Sequence, residues 1–315
     1  MLSALILWTG LIVGQARIVQ QAGVQQEPAM VQIRKSVAFI EVMCKRGDQT
    51  LPARGTGFFV AYPETRIEPN VNYIYLVTNR HVALCWDEGH PLEVMSVAVN
   101  MNLRSPVNDA FLHQEVLNQK GNLPWIFPED DSVDLALIPL APDPGKIDYK
   151  TIPISKFATK DVLDVHRIHE GEPLFFAGFF YQFPGVKKLE PIVRQGIIAM
   201  MPDEPFPFIG HPAHLYLADV HAFGGNSGSP AFINLAGPHD GSLIVGQDYK
   251  FFGIVNAEIF EGQNFELELT ATAIRGTGQA NSGISTIVPA EELKILLDSP
   301  KLQRMRDDFV AAHRK

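Results

Sequence analysis

The sequence predicts an all-β protein, built as a barrel or a sandwich. Short runs of apolar or alternating residues recur from residue 37 onward, and Gly, Pro, Asn or Asp bound them. No regular helices alternate with these runs, although a parallel doubly wound sheet needs such helices as crossovers. The 25 glycines and 23 prolines are scattered along the chain, as expected where many strands are joined by turns.

The predicted strands follow one another through most of the chain. In chain order they are SVAFIEVMC, GTGFFVAY, YIYLVTN, MSVAVNMN, DLALIPL, EPLFFAGFF, VRQGIIAMM, HLYLADV, SPAFINL, FFGIVNAEIF and GISTIVP. The stretch from Pro139 to Pro153 is rich in turn formers and is the best boundary between two halves.

One helix is predicted near the C-terminus. Pro289 stands at its start, and Glu291 and Glu292 lie in the first turn, where negative charge favours the helix dipole. Its apolar stripe consists of three leucines, Leu293, Leu296 and Leu297.

The N-terminal 16 residues contain an apolar run of about a dozen residues, which is shorter than a typical membrane-spanning helix. They fit a signal peptide cleaved after Ala16, although no Lys or Arg precedes the run. The alternatives to a signal peptide are a short membrane anchor and a buried N-terminal helix. Residues 17–32 are polar and are predicted to be a linker.

Composition limits the chemistry. A net charge of −9 argues against a nucleic-acid partner. Cys44 and Cys85 could form one disulfide in an exported protein or remain as two buried thiols, and two cysteines cannot build a cysteine-based metal site.

Two histidine-rich stretches lack a clear helix or a convergent third ligand, so no metal or other cofactor is predicted. Their residues are His166, His169, Glu170, His211 and His214.

Ser227 lies in the window GGNSGSP, which is typical of a tight turn or of a nucleophile. A nucleophilic serine needs a base and an orienting acid. His81 follows an apolar strand in YLVTNRHVA, and Asp134 directly precedes the apolar strand DLALIPL. An α/β-hydrolase would instead place Asp and then His after the serine, and only His239 and His313 follow it.

Taken together, these windows resemble trypsin-like (chymotrypsin-fold) serine proteases, most closely the HtrA/Deg and glutamyl-endopeptidase branches. The windows GTGFFV, LVTNRHV, DLALIPL, GEPLFFAGFF, VRQGIIAM, GGNSGSPAF and SGISTIVPAEELKILL occur in the family's order. The resemblance implies two six-stranded antiparallel β-barrels with a C-terminal helix, in a protease domain over residues 33–298. Barrel 1 would cover about 33–145, barrel 2 about 160–290, and a helical tail 299–315. Too few residues follow Pro300 for a PDZ domain.

The resemblance also implies roles for individual residues. Ser227 would be the nucleophile, His81 the base and Asp134 the acid that orients it. The N–H groups of Gly225 and Ser227 would form the oxyanion hole. Asn226 stands where zymogens activated by cleavage carry an aspartate, so no new N-terminus is expected to be needed.

The substrate pocket is expected to be lined by His221 and Ala222, before the serine, and by Val255 and Asn256 on a later strand. Residues 253–257 contain no histidine, so the resemblance does not imply selectivity for glutamate. His221 or Glu258 could bias the pocket.

These features predict a serine endopeptidase that acts on proteins or peptides through an acyl-enzyme. It would be secreted or periplasmic, with no stable membrane span once the signal peptide is removed. Two alternatives remain open, a catalytically silent binding module on the same fold and an esterase. The sequence leaves the oligomeric state open.

Overall fold

The computed structural model describes residues 27–67, 71–87, 90–104, 111–115, 125–208, 211–239, 242–244, 248–269 and 272–313. Strands dominate. They are β1 Val37–Arg46, β2 Gln49–Pro63, β3 Asn72–Thr78, β4 Trp86–Asp87, β5 His90–Pro91, β6 Glu93–Asn102, β7 Phe111–Glu115, β8 Ala136–Pro139, β9 Ile152–Pro153, β10 Pro173–Gly178, β11 Ile192–Met200, β12 Phe206–Phe208, β13 His211–Ala213, β14 Tyr216–Asp219, β15 Pro230–Asn234, β16 Gly237–His239, β17 Ser242–Ile244, β18 Tyr249–Leu269 and β19 Thr272–Pro289. The helices are Ala29–Lys35, Arg80–Ala83, Lys160–His166, Ala290–Leu297 and Pro300–His313, with a 3₁₀ turn at Ile154–Lys156.

The second half of the chain forms a closed antiparallel barrel. Its strands follow one another in the order β10-β11-β14-β19-β18-β15, and β15 pairs with β10 to close the ring. Closure leaves no open sheet edge. This barrel confirms the prediction of an all-β fold with a six-stranded antiparallel barrel in that half.

The first half forms a seven-stranded sheet in the order β7-β6-β1-β2-β3-β8, with β9 paired to β2 in parallel. A six-stranded barrel was expected here. The additional strand comes from residues 152–153, in the segment that links the two halves. Within the described residues, the hydrogen-bonded path of this sheet does not close into a ring.

The position of strand β1 in the fold explains why its sequence is almost continuously apolar. Ala38, Ile40 and Val42 face one hydrophobic cluster, whereas Val37 and Phe39 face another. Because successive side chains point to opposite faces of a strand, both faces of β1 are buried. The cluster that holds Phe39 also contains residues of the barrel, so it forms a core common to the two halves.

The predicted C-terminal helix is divided in two. Ala290–Leu297 ends before Pro300, which begins the helix Pro300–His313. Proline lacks an N–H group and its ring clashes with the preceding turn, so it can start a helix but does not continue one. The three leucines of the predicted apolar stripe are all buried.

Cys44 and Cys85 are joined in a disulfide with a Cα–Cα distance of 6.2 Å. The structure therefore favours the disulfide over two free thiols. The bond closes a loop that contains His81. It ties β1 to the segment that follows the short helix Arg80–Ala83.

The predicted signal peptide, residues 1–16, lies outside the described residues, as does most of the predicted linker. The helix Ala29–Lys35 begins within the last part of that linker. Among the helices that the structure describes, none combines the length and the apolar character that crossing a bilayer requires.

Candidate active site

His81 and Asp134 form a tight pair at the end of strand β3. His81 lies in the helix Arg80–Ala83, and its ring Nδ1 is 2.5 Å from Oδ2 of Asp134. The backbone N–H of His81 donates to the other carboxylate oxygen, Oδ1, at 2.9 Å. An ionised carboxylate only accepts hydrogen bonds, so in the neutral imidazole Nδ1 carries the proton and Nε2 keeps its lone pair.

The pair shifts the pKa of both partners. Burial alone would lower the pKa of His81, but the negative charge and hydrogen bond of Asp134 outweigh it and raise that pKa above the usual 6.5. Burial alone would raise the pKa of Asp134, but the His81 charge and hydrogen bonds from His81 and the Arg80 backbone lower it. The carboxylate is therefore ionised at neutral pH.

Asp134 is also fixed through its own backbone. The side-chain amide Nδ2 of Asn79 donates to the carbonyl oxygen of Asp134 at 3.0 Å. Asn79 is fully buried at the end of β3, one residue before the helix that carries His81. The segments that bear the acid and the base are thus tied at two points.

Ser227 lies in the turn that precedes strand β15. Gly225 and Gly228 on either side have φ angles of 95° and 85°, a left-handed conformation that glycine adopts readily. A Cβ atom at Gly228 would lie 1.9 Å from the carbonyl oxygen of Thr56, so a larger residue has no space there. The window GGNSGSP is therefore a tight turn, and its glycines Gly225 and Gly228 are required by conformation and, at Gly228, by packing.

Ser227 and His81 line the same cleft, which has a volume of about 200 Å³. Among the described residues, no hydrogen bond joins the Ser227 hydroxyl to the His81 ring. Such bonds are often long in unliganded active sites and tighten when substrate is bound. The cleft thus brings together His81 and Ser227, which are far apart in the sequence, and Asp134 contacts the ring of His81.

The turn presents two backbone donors. The carbonyl of Gly224 accepts a hydrogen bond from the N–H of Tyr181 at 3.2 Å, and in a trans peptide the N–H of Gly225 points the opposite way. The N–H groups of Gly225 and Ser227 donate to no acceptor among the described residues. Both are therefore available to a negatively charged oxygen.

Asn226 holds the turn from inside. Its side chain is fully buried, and Oδ1 accepts the N–H of Phe223 at 2.9 Å. Its Nδ2 group donates to the carbonyl of Phe179, also at 2.9 Å. These two hydrogen bonds hold the turn in the uncleaved chain.

Thr56, which the sequence reasoning missed, links the first sheet to this turn. Its hydroxyl donates to the carbonyl of Gly225 at 2.7 Å and accepts the N–H of Phe179 at 2.9 Å. Its own N–H donates to the carbonyl of Ser227 at 2.8 Å. In the sequence, the signal for Thr56 is the pair of glycines on either side of it. A Cβ atom at one of them, Gly55, would lie 2.6 Å from the side chain of Val82, so the chain packs closely there.

The structure places three of the four predicted pocket residues in the cleft, namely Ala222, Val255 and Asn256. His221 lies outside that lining. Its ring packs beside Gly283, where a Cβ atom would come within 3.0 Å of it. Ala257 and Glu258, on the strand that was expected to line the pocket, also line the cleft. Sequence reasoning missed three further lining residues, Phe223, Gly224 and Phe260.

Neither histidine-rich stretch forms a metal-binding cluster within the described residues. No group of three His, Cys, Asp or Glu side chains there has the arrangement that a metal ion requires. The Nδ1 atom of His169 instead lies 2.8 Å from the carbonyl oxygen of Glu170, and the side chain of His211 lies outside the described residues.

No protein-family model and no curated protein matches this chain. Solved structures that are similar to it include the HtrA-type protease AlgW with a tripeptide (15% identity, TM-score 0.45, 88% of this chain and 65% of that chain). A serine-to-alanine variant of AlgW with a tripeptide is also similar (14%, 0.45, 87% and 64%). The MamO protease domain of Magnetospirillum magneticum in its apo form is a third (13%, 0.44, 85% and 98%). The chain thus spans slightly less than two thirds of the AlgW chains. Similarity at this level assigns neither a substrate nor a role to any residue.

Proposed function

We propose that this protein is a serine endopeptidase. Ser227 attacks the carbonyl carbon of a peptide bond, and Nε2 of His81 takes the hydroxyl proton. Collapse of the tetrahedral intermediate breaks the C–N bond, and the imidazolium returns the proton to the leaving amine. Water, activated by the same base, then hydrolyses the acyl-enzyme and releases the free serine.

The observation that carries this proposal is the hydrogen-bonded pair of His81 and Asp134 in the cleft that Ser227 lines. The pair gives the imidazole one tautomer and one orientation, which a base facing a serine requires. A half-buried carboxylate with two contacts to one histidine also stabilises the imidazolium that forms during proton transfer.

The reaction also requires hydrogen-bond donors for the oxyanion, and the unpaired N–H groups of Gly225 and Ser227 can supply them. They can stabilise the negative charge that appears on the carbonyl oxygen only in the transition state. Removal of one such donor typically costs about 3–4 kcal/mol of transition-state stabilisation.

A fluorophosphonate probe tests the proposal directly, because it reacts with a serine that a neighbouring base activates. Wild-type protein should be labelled at Ser227, as located by peptide mass spectrometry, and Ser227→Ala should not. Absence of labelling in folded wild-type protein, or equal labelling of the two proteins, would reject the enzyme in favour of a silent binding module. Casein and a simple ester, assayed in parallel, distinguish the endopeptidase from an esterase.

We further propose that the protein works in an oxidising compartment outside the cytoplasm. The Cys44–Cys85 disulfide supports this, since structural disulfides persist in secreted and periplasmic proteins and are rare in reducing cytosol. Fractionation of cells that express the full chain, together with the N-terminal sequence of the mature protein, tests both export and cleavage after Ala16. Full-length protein found only in the cytoplasm would contradict the proposal.

A further inference from the structure

The cleft beside Ser227 contains a carboxylate that the proposed reaction does not use. Glu258 lines the cleft from strand β18. Its Oε2 atom accepts a hydrogen bond from Nδ2 of Asn281 at 2.9 Å, and the same amide nitrogen donates to the carbonyl of Ala222 at 2.8 Å. The carboxylate is therefore anchored to the wall of the cleft.

Among the residues that the structure describes, no Lys, Arg or His lies within ion-pair distance of the Glu258 carboxylate. Burial raises the pKa of Glu258, and the hydrogen bond from Asn281 only partly offsets that rise. The nearby guanidinium of Arg194 instead stacks on the ring of Phe223, 4.8 Å from its centroid. A half-buried carboxylate with no counter-charge favours a ligand that brings one.

The remaining walls of the cleft suit an aliphatic chain. Phe223 and Phe260 are 39% and 50% exposed, and Ala222 and Val255 lie behind them as small apolar surfaces. Lys and Arg side chains combine an apolar stem with a terminal charge, and so match both parts of this lining.

We propose that the cleft binds the Lys or Arg side chain of the residue whose carbonyl Ser227 attacks, with Glu258 as the counter-charge. The assignment of this side chain to the cleft rests on the proposed endopeptidase activity, because Ser227 lines the same space. An acidic side chain in that position is disfavoured, since it would place two like charges together.

The first experiment compares peptides that differ only in the residue before the cut, which is lysine, norleucine or glutamate. The ratio of kcat/KM for lysine over norleucine should be about 10- to 100-fold in the wild type, as expected for a hydrogen bond to a charged group. The glutamate peptide should be the poorest. The ratio should fall toward one in Glu258→Gln. It should stay at the wild-type value in the matched control Glu261→Gln, which removes an exposed carboxylate from the same strand.

A wild-type ratio near one overturns the assignment without reference to any variant. A high ratio that Glu258→Gln leaves intact overturns the role of Glu258. Failure of the endopeptidase proposal is distinguishable from both, because the fluorophosphonate probe carries no peptide side chain. Labelled protein without lysine preference rejects only this inference, whereas folded protein without labelling rejects the proposed function.

A binding measurement tests the same cleft without catalysis. p-Aminobenzamidine, an aromatic cation, should bind to Ser227→Ala more tightly than its neutral amide analogue, as measured by fluorescence. Adding Glu258→Gln should weaken its binding about 10-fold or more. Equal affinity for the cation and the neutral analogue, or equal affinity of the two proteins for the cation, would overturn the assignment.

Discussion

The hydroxyl of Thr56 donates a hydrogen bond to the carbonyl of Gly225 at 2.7 Å, although 169 positions separate the two residues. Thr56 belongs to the first sheet, whereas Gly225 lies in the turn that carries the proposed nucleophile. The same hydroxyl accepts the N–H of Phe179 at 2.9 Å. A single buried side chain therefore joins the two halves of the molecule next to the proposed oxyanion hole.

Thr56→Val is expected to damage both stability and reactivity. The substitution keeps the shape of the side chain but leaves the carbonyl of Gly225 and the N–H of Phe179 buried without partners. The free energy of unfolding should fall by about 2–4 kcal/mol. Fluorophosphonate labelling of the folded fraction should also slow, because the turn loses one of its anchors. Chemical denaturation and labelling kinetics measure the two effects.

Thr78→Val is the matched control for Thr56→Val. Thr78 is equally buried, and its hydroxyl donates only to the carbonyl of Thr56, at 2.7 Å. Its loss should lower stability without slowing the labelling of folded protein to the same degree. Equal slowing in both variants would mean that Thr56 has no particular role in placing the turn.

The pH dependence of activity should follow the His81–Asp134 pair. A general base works only when it is neutral, and Asp134 raises the pKa of His81 above 6.5. Activity should therefore rise with pH, through an apparent pKa above 6.5. A profile of kcat/KM, or of the labelling rate, against pH measures it. An acid limb centred below 6.5 would contradict the proposed pairing.

Asp134→Asn extends the same prediction. The variant removes the negative charge that raises the pKa of His81 and leaves burial, which lowers it, so the acid limb should move to lower pH. The amide also no longer selects the required tautomer, and the maximal rate should fall by about 10⁴-fold. A variant that retains the wild-type rate would show that Asp134 does not orient the base.

Much of the fold and the central pair could be predicted from local sequence, because both depend on local patterns. Alternating apolar runs identified the strands, and the order of His81, Asp134 and Ser227 indicated which segments should meet. The outer part of the long β18–β19 hairpin was missed, although Phe265, Leu267 and Leu269 alternate with Glu266 and Glu268 there, as in a strand. Packing between the two halves leaves no periodic signal, so the contacts of Thr56 required coordinates. The contact of Asn281 with Glu258 depends on how β18 and β19 pair, which the sequence does not give.

The Cys44–Cys85 disulfide should contribute to the stability of the segment that carries His81. The bond joins residues 41 positions apart, and closing such a loop stabilises a protein by about 2–4 kcal/mol. Reduction, or replacement of both cysteines by alanine, should lower the free energy of unfolding by that amount. Denaturation with and without reductant measures the difference, and two alkylatable thiols in non-reduced protein would contradict the pairing.

The protein should be active without an internal activating cleavage. Asn226 already bonds to Phe223 and Phe179, so the turn does not need a newly formed α-amino group to order it. Intact-mass measurement of the fluorophosphonate-labelled species should show a chain cut nowhere within residues 33–298. Labelling that appears only after one defined cut in that range would show the prediction to be wrong.

Asn226→Asp should destabilise the turn in a pH-dependent way. The aspartate can still accept the N–H of Phe223, but when ionised it cannot donate to the carbonyl of Phe179 and places a buried charge beside that oxygen. The free energy of unfolding should fall by about 3 kcal/mol near pH 8. Burial raises the pKa of the new carboxyl group, so the deficit relative to wild type should shrink toward about pH 5, where protonation restores a donor.

Asn226→Ala separates the lost hydrogen bonds from the added charge. It removes both side-chain contacts but introduces no ionisable group, so its deficit relative to wild type should not change between the two pH values. Denaturation curves of the three proteins at both pH values provide the comparison. If the Asn226→Asp deficit is also independent of pH, the side chain at this position is not enclosed against the Phe179 carbonyl, and the account of how the turn is held must be abandoned.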